Sequence, residues 1–232
     1  MSVVTIQFHT DLLCIWAYVA ERRVSELVQA FGDKIEIDPR FCSVFPDAHS
    51  KIEQNWKDRG GYEGFNRHLN EVAAKFPHVT VHDRLWLDTR PRTSASAHMF
   101  VKAIEAIEKD PQSGDSGTIP YLDRLSTRAA SALRIAFFAQ ARDISDWHVH
   151  RDIASQIGMD YDTIQDRILS SEAVAALAAD MNQAQAQGIT GSPTFVMNGG
   201  RQRLFGNVGY RLLEANVQEF LRSDPGGEAS WC

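Results

Sequence analysis

Residues 3–20 read VVTIQFHTDLLCIWAYVA, an apolar, β-branched run and a helical pattern with only a short polar break between them. Residues 3–8 have the composition and spacing of a strand. Residues 15–31 carry apolar side chains at helical spacing and are followed by Gly32, a common helix stop. Residues 35–41 alternate again and predict a second strand. A strand, a helix and a strand within about forty residues predict a parallel pair with a right-handed crossover.

The middle of the chain is helical in pattern, from about residue 50 to residue 187. A loop at 77–92 and a polar stretch at 110–117 interrupt it. The extended run at 79–87 is open to two interpretations, a short strand or an ordered connection. The predicted helices lie near residues 63–75, 93–109, 121–141, 147–157, 161–169 and 171–187.

Strand patterns return near the C-terminus. Residues 194–197 and 202–205 are apolar runs separated by the turn sequence NGG, which predicts a β-hairpin. A last amphipathic helix is predicted over 208–221. Because neither end of the chain could bury a sheet face alone, we expect both ends to combine into one four-stranded sheet.

The predicted fold class is therefore α/β, with an all-helical domain inserted into a sheet domain. Residues 1–48 and 171–223 are expected to form the sheet domain, and residues 49–170 the inserted domain. Residues 224–232 contain a PGG sequence and are predicted to be a flexible tail.

Composition excludes several classes of function. A net charge of −6 argues against a nucleic-acid partner, and no segment has the ~20 apolar residues that cross a membrane. The N-terminal residues lack the pattern of a secretory signal, so we expect a cytoplasmic location. His148 and His150 point about 200° apart on a helix and predict surface histidines, not a metal site.

Cys14 falls where the first strand gives way to the first helix. Free backbone N–H groups and the helix dipole favour a thiolate at such a position, which makes Cys14 a candidate nucleophile. The alternative is a small buried apolar residue. His9 ends the strand and, if protonated, would lower the thiol pKa further, although a plain strand-end histidine is an equal alternative. Asp11 is expected to act as a cap or turn residue.

The second signal is Ser192-Pro193 at the start of the predicted third strand. Proline suits the first position of a strand, and two interpretations are open. A cis bond would leave the backbone N–H and C=O of Ser192 free to pair with an extended peptide. The alternative is an ordinary trans turn.

These segments carry a family resemblance. Residues 11–18, DLLCIWAY, resemble the active-site segment of the DsbA-like thioredoxin superfamily, above all its FrnE-like branch, where a strand is followed by D-x-x-C-P-W-C-Y. Residues 188–196, GITGSPTFV, resemble its cis-proline loop, and residues 97–98 resemble a helix in its inserted domain. The resemblance implies a thioredoxin-like fold with a protein-disulfide oxidoreductase activity. It makes Cys14 the nucleophile. Trp16 and Tyr18 lie two positions apart on the first helical turn, so one should flank the thiol and the other face the core. The oxidoreductase hypothesis has Trp16 bind substrate by shaping an apolar groove over the thiol.

The sequence departs from this family at the second cysteine. Ala17 occupies the position of the resolving thiol, and Ile15 stands where proline is common. A mixed disulfide on Cys14 must then be released by an external thiol such as glutathione or by another cysteine. Cys42, predicted at the end of the second strand, is a candidate resolver, with a buried structural cysteine as the alternative. Cys232 is expected to be a solvated thiol on the tail.

A second resemblance is to kappa-class glutathione transferases and 2-hydroxychromene-2-carboxylate isomerases, which usually have serine where Cys14 stands. Their hairpin ends in a segment similar to residues 204–207, LFGN. This resemblance implies that Ser192, Pro193 and Asn207 contact glutathione.

Three hypotheses follow for the function. The first is a monothiol oxidoreductase that acts on a disulfide-containing protein or a small thiol or electrophile. Glutathione would serve as its cosubstrate, and no tightly bound cofactor or metal is expected. The second is a glutathione-dependent isomerase or transferase. The third is a non-catalytic binding module.

Overall fold

Two distant parts of the chain build one mixed sheet in the computed structural model, which describes residues 3–110 and 119–222. Within these residues the strands are β1 (Val4–Thr10), β2 (Ile35–Phe41), β3 (Thr194–Met197) and β4 (Gln202–Phe205). Their order in the sheet is β2-β1-β3-β4. The β1 strand pairs in parallel with β2 and antiparallel with β3, and β3 pairs antiparallel with β4. The predicted α/β sheet is confirmed.

Helices connect and cover these strands, and the six helices predicted in the middle of the chain are present. A short helix at Ala48–Asn55, α2, escaped prediction because its eight residues are mostly polar and too few to form a clear helical pattern. The run at 79–87 forms turns, so the ordered connection is the correct interpretation. The helices are α1 (Ile15–Phe31), α2 (Ala48–Asn55), α3 (Gly61–Ala73), α4 (Ala95–Glu108), α5 (Leu125–Arg134), α6 (Trp147–Ile157), α7 (Tyr161–Leu169), α8 (Glu172–Ala186) and α9 (Tyr210–Arg222).

Over the part of the chain that the structure describes, the packed side chains form two hydrophobic clusters. One joins the apolar face of β1, with Ile6 and Phe8, to α1 and α9. The other joins the N-terminal end of α1 to the helices of the middle segment, around the fully buried Trp86 and Phe100. The assignment of 49–170 to a separate inserted domain stays a prediction. The predicted tail at 224–232, with Cys232, lies outside the described residues.

Buried ionic contacts attach the helices to the strand ends. Asp180 of α8 accepts the Phe41 N–H at 2.9 Å and pairs with Arg40 at 3.0 Å and with Lys102 at 2.7 Å. These contacts fix α8 against the end of β2, because moving the helix away would leave buried charges without their partners.

A second buried ionic contact attaches α1 to the end of β1. Arg134 donates to the Thr10 hydroxyl at 2.7 Å and pairs with Glu21 of α1 at 2.6 Å. The ends of β1 and β2 are therefore held in place next to the first turn of α1.

Over the described ranges, no helix has both the length and the apolar character needed to cross a membrane.

Candidate active site around Cys14

The polypeptide turns tightly from β1 into α1, and Cys14 is the N-cap residue of that helix. The Cys14 N–H donates to the Asp11 carbonyl at 3.1 Å, and the Asp11 side chain accepts the Leu13 N–H at 2.9 Å. An aspartate that accepts a backbone N–H two residues on is a common turn former. Asp11 thus acts as the turn residue expected from the sequence.

Asp11 also has a wider structural role that the sequence did not show. Its carboxylate is fully buried and accepts the N–H groups of Val44 and Phe45 at 3.1 and 3.0 Å. The Ser94 hydroxyl donates to it at 2.8 Å. Because these partners lie 33 to 83 residues away, the carboxylate ties three segments together beneath the thiol.

His98 is the second buried support of this turn. Its Nε2 accepts the Leu12 N–H at 3.2 Å, and its ring stacks on Phe41 with 4.2 Å between ring centroids. Burial lowers the pKa of His98 to about 4, so the ring is neutral near pH 7. Only a neutral ring has the lone pair on Nε2 that this hydrogen bond requires.

The Ser192–Pro193 loop lies directly against the turn, and its peptide bond is cis, which is the first of the two interpretations that the sequence left open. The Ser192 hydroxyl accepts the Asp11 N–H at 2.9 Å, and the Cys14 thiol donates to the Ser192 carbonyl at 3.1 Å. The two sequence signals, 178 residues apart, therefore meet at one point.

The protonation state of Cys14 differs from the sequence expectation. Burial raises the pKa of this thiol, and the charge of Asp11 raises it further. The backbone N–H groups of Ala17 and Trp16, as expected at a helix N-terminus, and the Ser192 side chain lower the pKa of Cys14, but burial outweighs them. The expectation of a thiolate was wrong for this resting state, because desolvation of the sulfur exceeds the stabilisation from the backbone.

Cys42 contacts the same loop from another strand end. Its N–H donates to the Thr10 carbonyl at 3.0 Å, and its sulfur lies 3.9 Å from the Gly191 carbonyl oxygen. Both Cys14 and Cys42 are free and buried. Burial raises the pKa of Cys42, and the neighbouring Asp11 and Cys14 raise it further.

His9 has other partners than the thiol. Its Nε2 contacts the Gln187 side chain of the segment after α8 at 3.1 Å, and burial lowers the pKa of the imidazole. The idea that a protonated His9 lowers the thiol pKa was wrong, because a buried ring on this side of β1 is neutral near pH 7.

The aromatic residues after Cys14 have separate roles. Trp16 is partly buried and meets His68 and Phe76 edge-on, with centroid distances of 6.4 and 6.2 Å. Tyr18 stacks on Phe138 at 5.0 Å. Trp16 is therefore the residue that faces α3 and the segment after it, while Tyr18 packs against the segment that follows α5.

The remaining residues singled out from the sequence, Asn207 and His150, have hydrogen-bond partners outside the Cys14 turn. Asn207 follows β4, and its side-chain oxygen accepts a hydrogen bond from Arg23 of α1 at 2.7 Å. His150 is buried and bonded to the Ile144 carbonyl at 2.8 Å, so the prediction of a surface histidine was wrong for it. No cluster of three or more metal-ligating side chains occurs between residues 3 and 110 or 119 and 222.

Comparisons with known proteins agree with this architecture. Residues 121–218 match the model of the DSBA-like thioredoxin domain family. No match to a curated protein was found. Among solved structures, the probable DsbA oxidoreductase of Streptomyces coelicolor is similar, with 17% identity and a TM-score of 0.72 over 98% of this chain and 94% of the other.

Two further structures share the fold. The cytosolic disulfide reductase DsbM of Pseudomonas aeruginosa, solved with GSH, is 18% identical, with a TM-score of 0.65 over 92% of this chain and 99% of the other. A 2-hydroxychromene-2-carboxylate isomerase is 16% identical, with a TM-score of 0.60 over 94% of this chain and 96% of the other. The chain therefore has the DsbA-like thioredoxin fold, and its resemblance to the DsbA-like thioredoxin superfamily is confirmed.

Proposed function

We propose that this protein is a cytoplasmic thiol–disulfide oxidoreductase that uses Cys14 as its single nucleophile and glutathione as its cosubstrate. One observation carries the proposal, the 3.1 Å contact between the Cys14 sulfur and the Ser192 carbonyl at a helix N-terminus. The likeness to a cytosolic disulfide reductase solved with GSH supports the cosubstrate and the location.

The proposed reaction is a pair of thiol exchanges. The Cys14 thiolate attacks one sulfur of a disulfide R–S–S–R′, forms the mixed disulfide Cys14–S–S–R and releases R′–S⁻. A glutathione thiolate then attacks the sulfur of R, forms R–S–S–G and releases the Cys14 thiolate. Glutathione is needed because Ala17 provides no adjacent resolving thiol.

Substrate pairing would help Cys14 to ionise. In the resting state the Cys14 S–H donates a hydrogen bond to the Ser192 carbonyl. An extended substrate that pairs with Ser192 would present an N–H to that carbonyl, as in strand addition. The carbonyl would then have another donor, and the sulfur could lose its proton while it keeps its contacts with the N–H groups of Trp16 and Ala17.

A specific observation favours a second candidate, a glutathione-dependent isomerase or transferase. Because burial raises the pKa of Cys14, its neutral S–H could donate a hydrogen bond to a bound glutathione thiolate. In this case Cys14 orients glutathione and forms no disulfide. The structural likeness to a 2-hydroxychromene-2-carboxylate isomerase agrees with this alternative.

Turnover of a glutathionylated peptide in the presence of glutathione separates the candidates. We expect Cys14→Ser to abolish turnover, and the wild-type chain without glutathione to release one equivalent of product thiol per Cys14. An equal loss of turnover in Cys42→Ser would identify Cys42 as the thiol that resolves the mixed disulfide. Full activity in Cys14→Ser would refute the proposal, and glutathione binding without any disulfide exchange would favour the isomerase.

The state of the thiol gives an independent check. Because the pKa of Cys14 is raised, its rate of alkylation by iodoacetamide should be low at pH 7 and should still rise above pH 9, beyond the ~8.5 of an ordinary thiol. Mass spectrometry of the peptide that contains Cys14 measures this rate. A half-maximal rate below pH 7 would contradict the burial argument.

A further inference from the structure

Arg23 lies on the same face of α1 as Trp16. The two residues are seven positions apart, which is about two helical turns and an offset of only about 20°. The Arg23 guanidinium donates to the Asn207 side-chain oxygen at 2.7 Å and lies 5.7 Å from the centre of the Phe76 ring. The cation is thus held between α1, the segment after α3 and the segment after β4.

Backbone contacts connect this cation to the thiol site. Asn207 follows Gly206, whose N–H donates to the Pro193 carbonyl at 2.9 Å. The preceding carbonyl, that of Ser192, accepts the Cys14 thiol. A ligand whose sulfur meets Cys14 and whose backbone pairs with Ser192 can therefore extend towards Asn207, in the segment after β4 that is bonded to this loop.

Arg23 carries a positive charge that the rest of the fold does not neutralise directly. In residues 3–110 and 119–222, no carboxylate lies within ion-pair distance of it. The carboxylate that acts on its charge, Glu26, is bonded to the neighbouring Arg22 at 2.9 Å. Partial burial lowers the pKa of Arg23, so the free protein holds a partly desolvated cation. A ligand anion would compensate this cost.

We propose that Arg23, oriented by Asn207, binds a carboxylate of the thiol cosubstrate and so selects carboxylate-bearing thiols or disulfides of the size of glutathione. A guanidinium has five N–H donors in a planar fork that matches a carboxylate, and Asn207 accepts from one nitrogen only. The inference rests on the proposed use of a thiol cosubstrate at Cys14 and adds the residue that recognises its charge.

The test is calorimetric binding of S-methylglutathione, which cannot exchange disulfides, and of its dimethyl ester, which lacks the carboxylates. Arg23→Gln should weaken binding of the acid by about tenfold, the size of one charge-assisted contact, with Arg23→Lys between it and the wild type. Arg22→Gln is the matched control, because it removes the same charge from an exposed side chain whose ion-pair partner is Glu26, and should change binding less than twofold. The ester should bind the wild type and Arg23→Gln equally.

Several outcomes would overturn the inference. They are no binding of S-methylglutathione to the wild type, equal binding by Arg23→Gln and Arg22→Gln, or an equal loss for acid and ester. Thermal unfolding of each variant shows whether the fold is retained, and Arg23→Lys keeps the comparison valid if Arg23→Gln is unstable. Exchange with the uncharged bis(2-hydroxyethyl) disulfide tests the oxidoreductase activity separately, so the failure of one proposal is distinct from the failure of the other.

Discussion

Acid should destabilise the turn that carries Cys14, because His98 must stay neutral to support it. His98 accepts the Leu12 N–H on Nε2, is fully buried, and has a pKa lowered by burial to about 4. In the unfolded chain its pKa returns to about 6.5. Between these pH values the unfolded state binds more protons at His98 than the folded state. The contribution of neutral His98 to the free energy of unfolding is therefore fully present above pH 6.5 and is lost as the pH falls towards 4.

The size of this loss follows from the two pKa values. They differ by roughly 2.5 pH units, and each unit corresponds to about 1.36 kcal/mol, so the full loss in the free energy of unfolding is about 3 kcal/mol. At pH 5 most of the unfolded chain and little of the folded chain is protonated at His98, and the loss is about 2 kcal/mol. This is a large share of the stability of a typical domain.

Urea unfolding of the wild type, His98→Gln and the control His148→Gln, each at pH 7.5 and pH 5, measures this effect. Glutamine can accept the Leu12 N–H and does not titrate, so His98→Gln should lose about 2 kcal/mol less than the wild type between the two pH values. The exposed His148 should leave the wild-type loss unchanged. Equal losses in the wild type and His98→Gln would refute the reasoning. Buried His150, whose pKa burial also lowers to about 4, contributes to all three proteins alike.

Two further predictions concern the residues around the thiol. Ala17→Cys places a second thiol about one helical turn from Cys14. After one equivalent of a disulfide substrate, mass spectrometry should show an internal disulfide between Cys14 and the introduced thiol, where the wild type shows a mixed disulfide. The same mixed disulfide in Ala17→Cys and the wild type, or its loss in the control Ala17→Ser, would contradict this prediction. Gly191→Ala should lower the free energy of unfolding, because a Cβ there would lie 2.5 Å from the Phe205 ring. Because Phe205 is 64% exposed and its ring can move away, the loss in the free energy of unfolding should be about 1 kcal/mol. This loss should disappear when Gly191→Ala is made in a Phe205→Ala background, and an unchanged loss there would exclude the clash.

The sequence alone determined the order of the four strands and of the longer helices, and the position of Cys14 at a helix N-terminus. These are local properties, because a strand repeats its apolar side chains every second residue and a helix every 3.6. The need to bury a sheet face predicted that the two ends of the chain combine into one sheet. The structure adds that the Cys14 sulfur lies 3.1 Å from the Ser192 carbonyl oxygen. Asn207 was also expected near the site, but its partner Arg23 carried no sequence signal.

Tertiary structure alone decided the electrostatics of the site. The pKa of Cys14 depends on the balance between burial of the sulfur and the backbone N–H groups, and the sequence shows only the second. The same reason explains His9, which burial makes neutral, and Asp11, whose buried carboxylate collects donors from distant segments. Desolvation depends on which segments of the chain fold over a group, and no local pattern of residues records that.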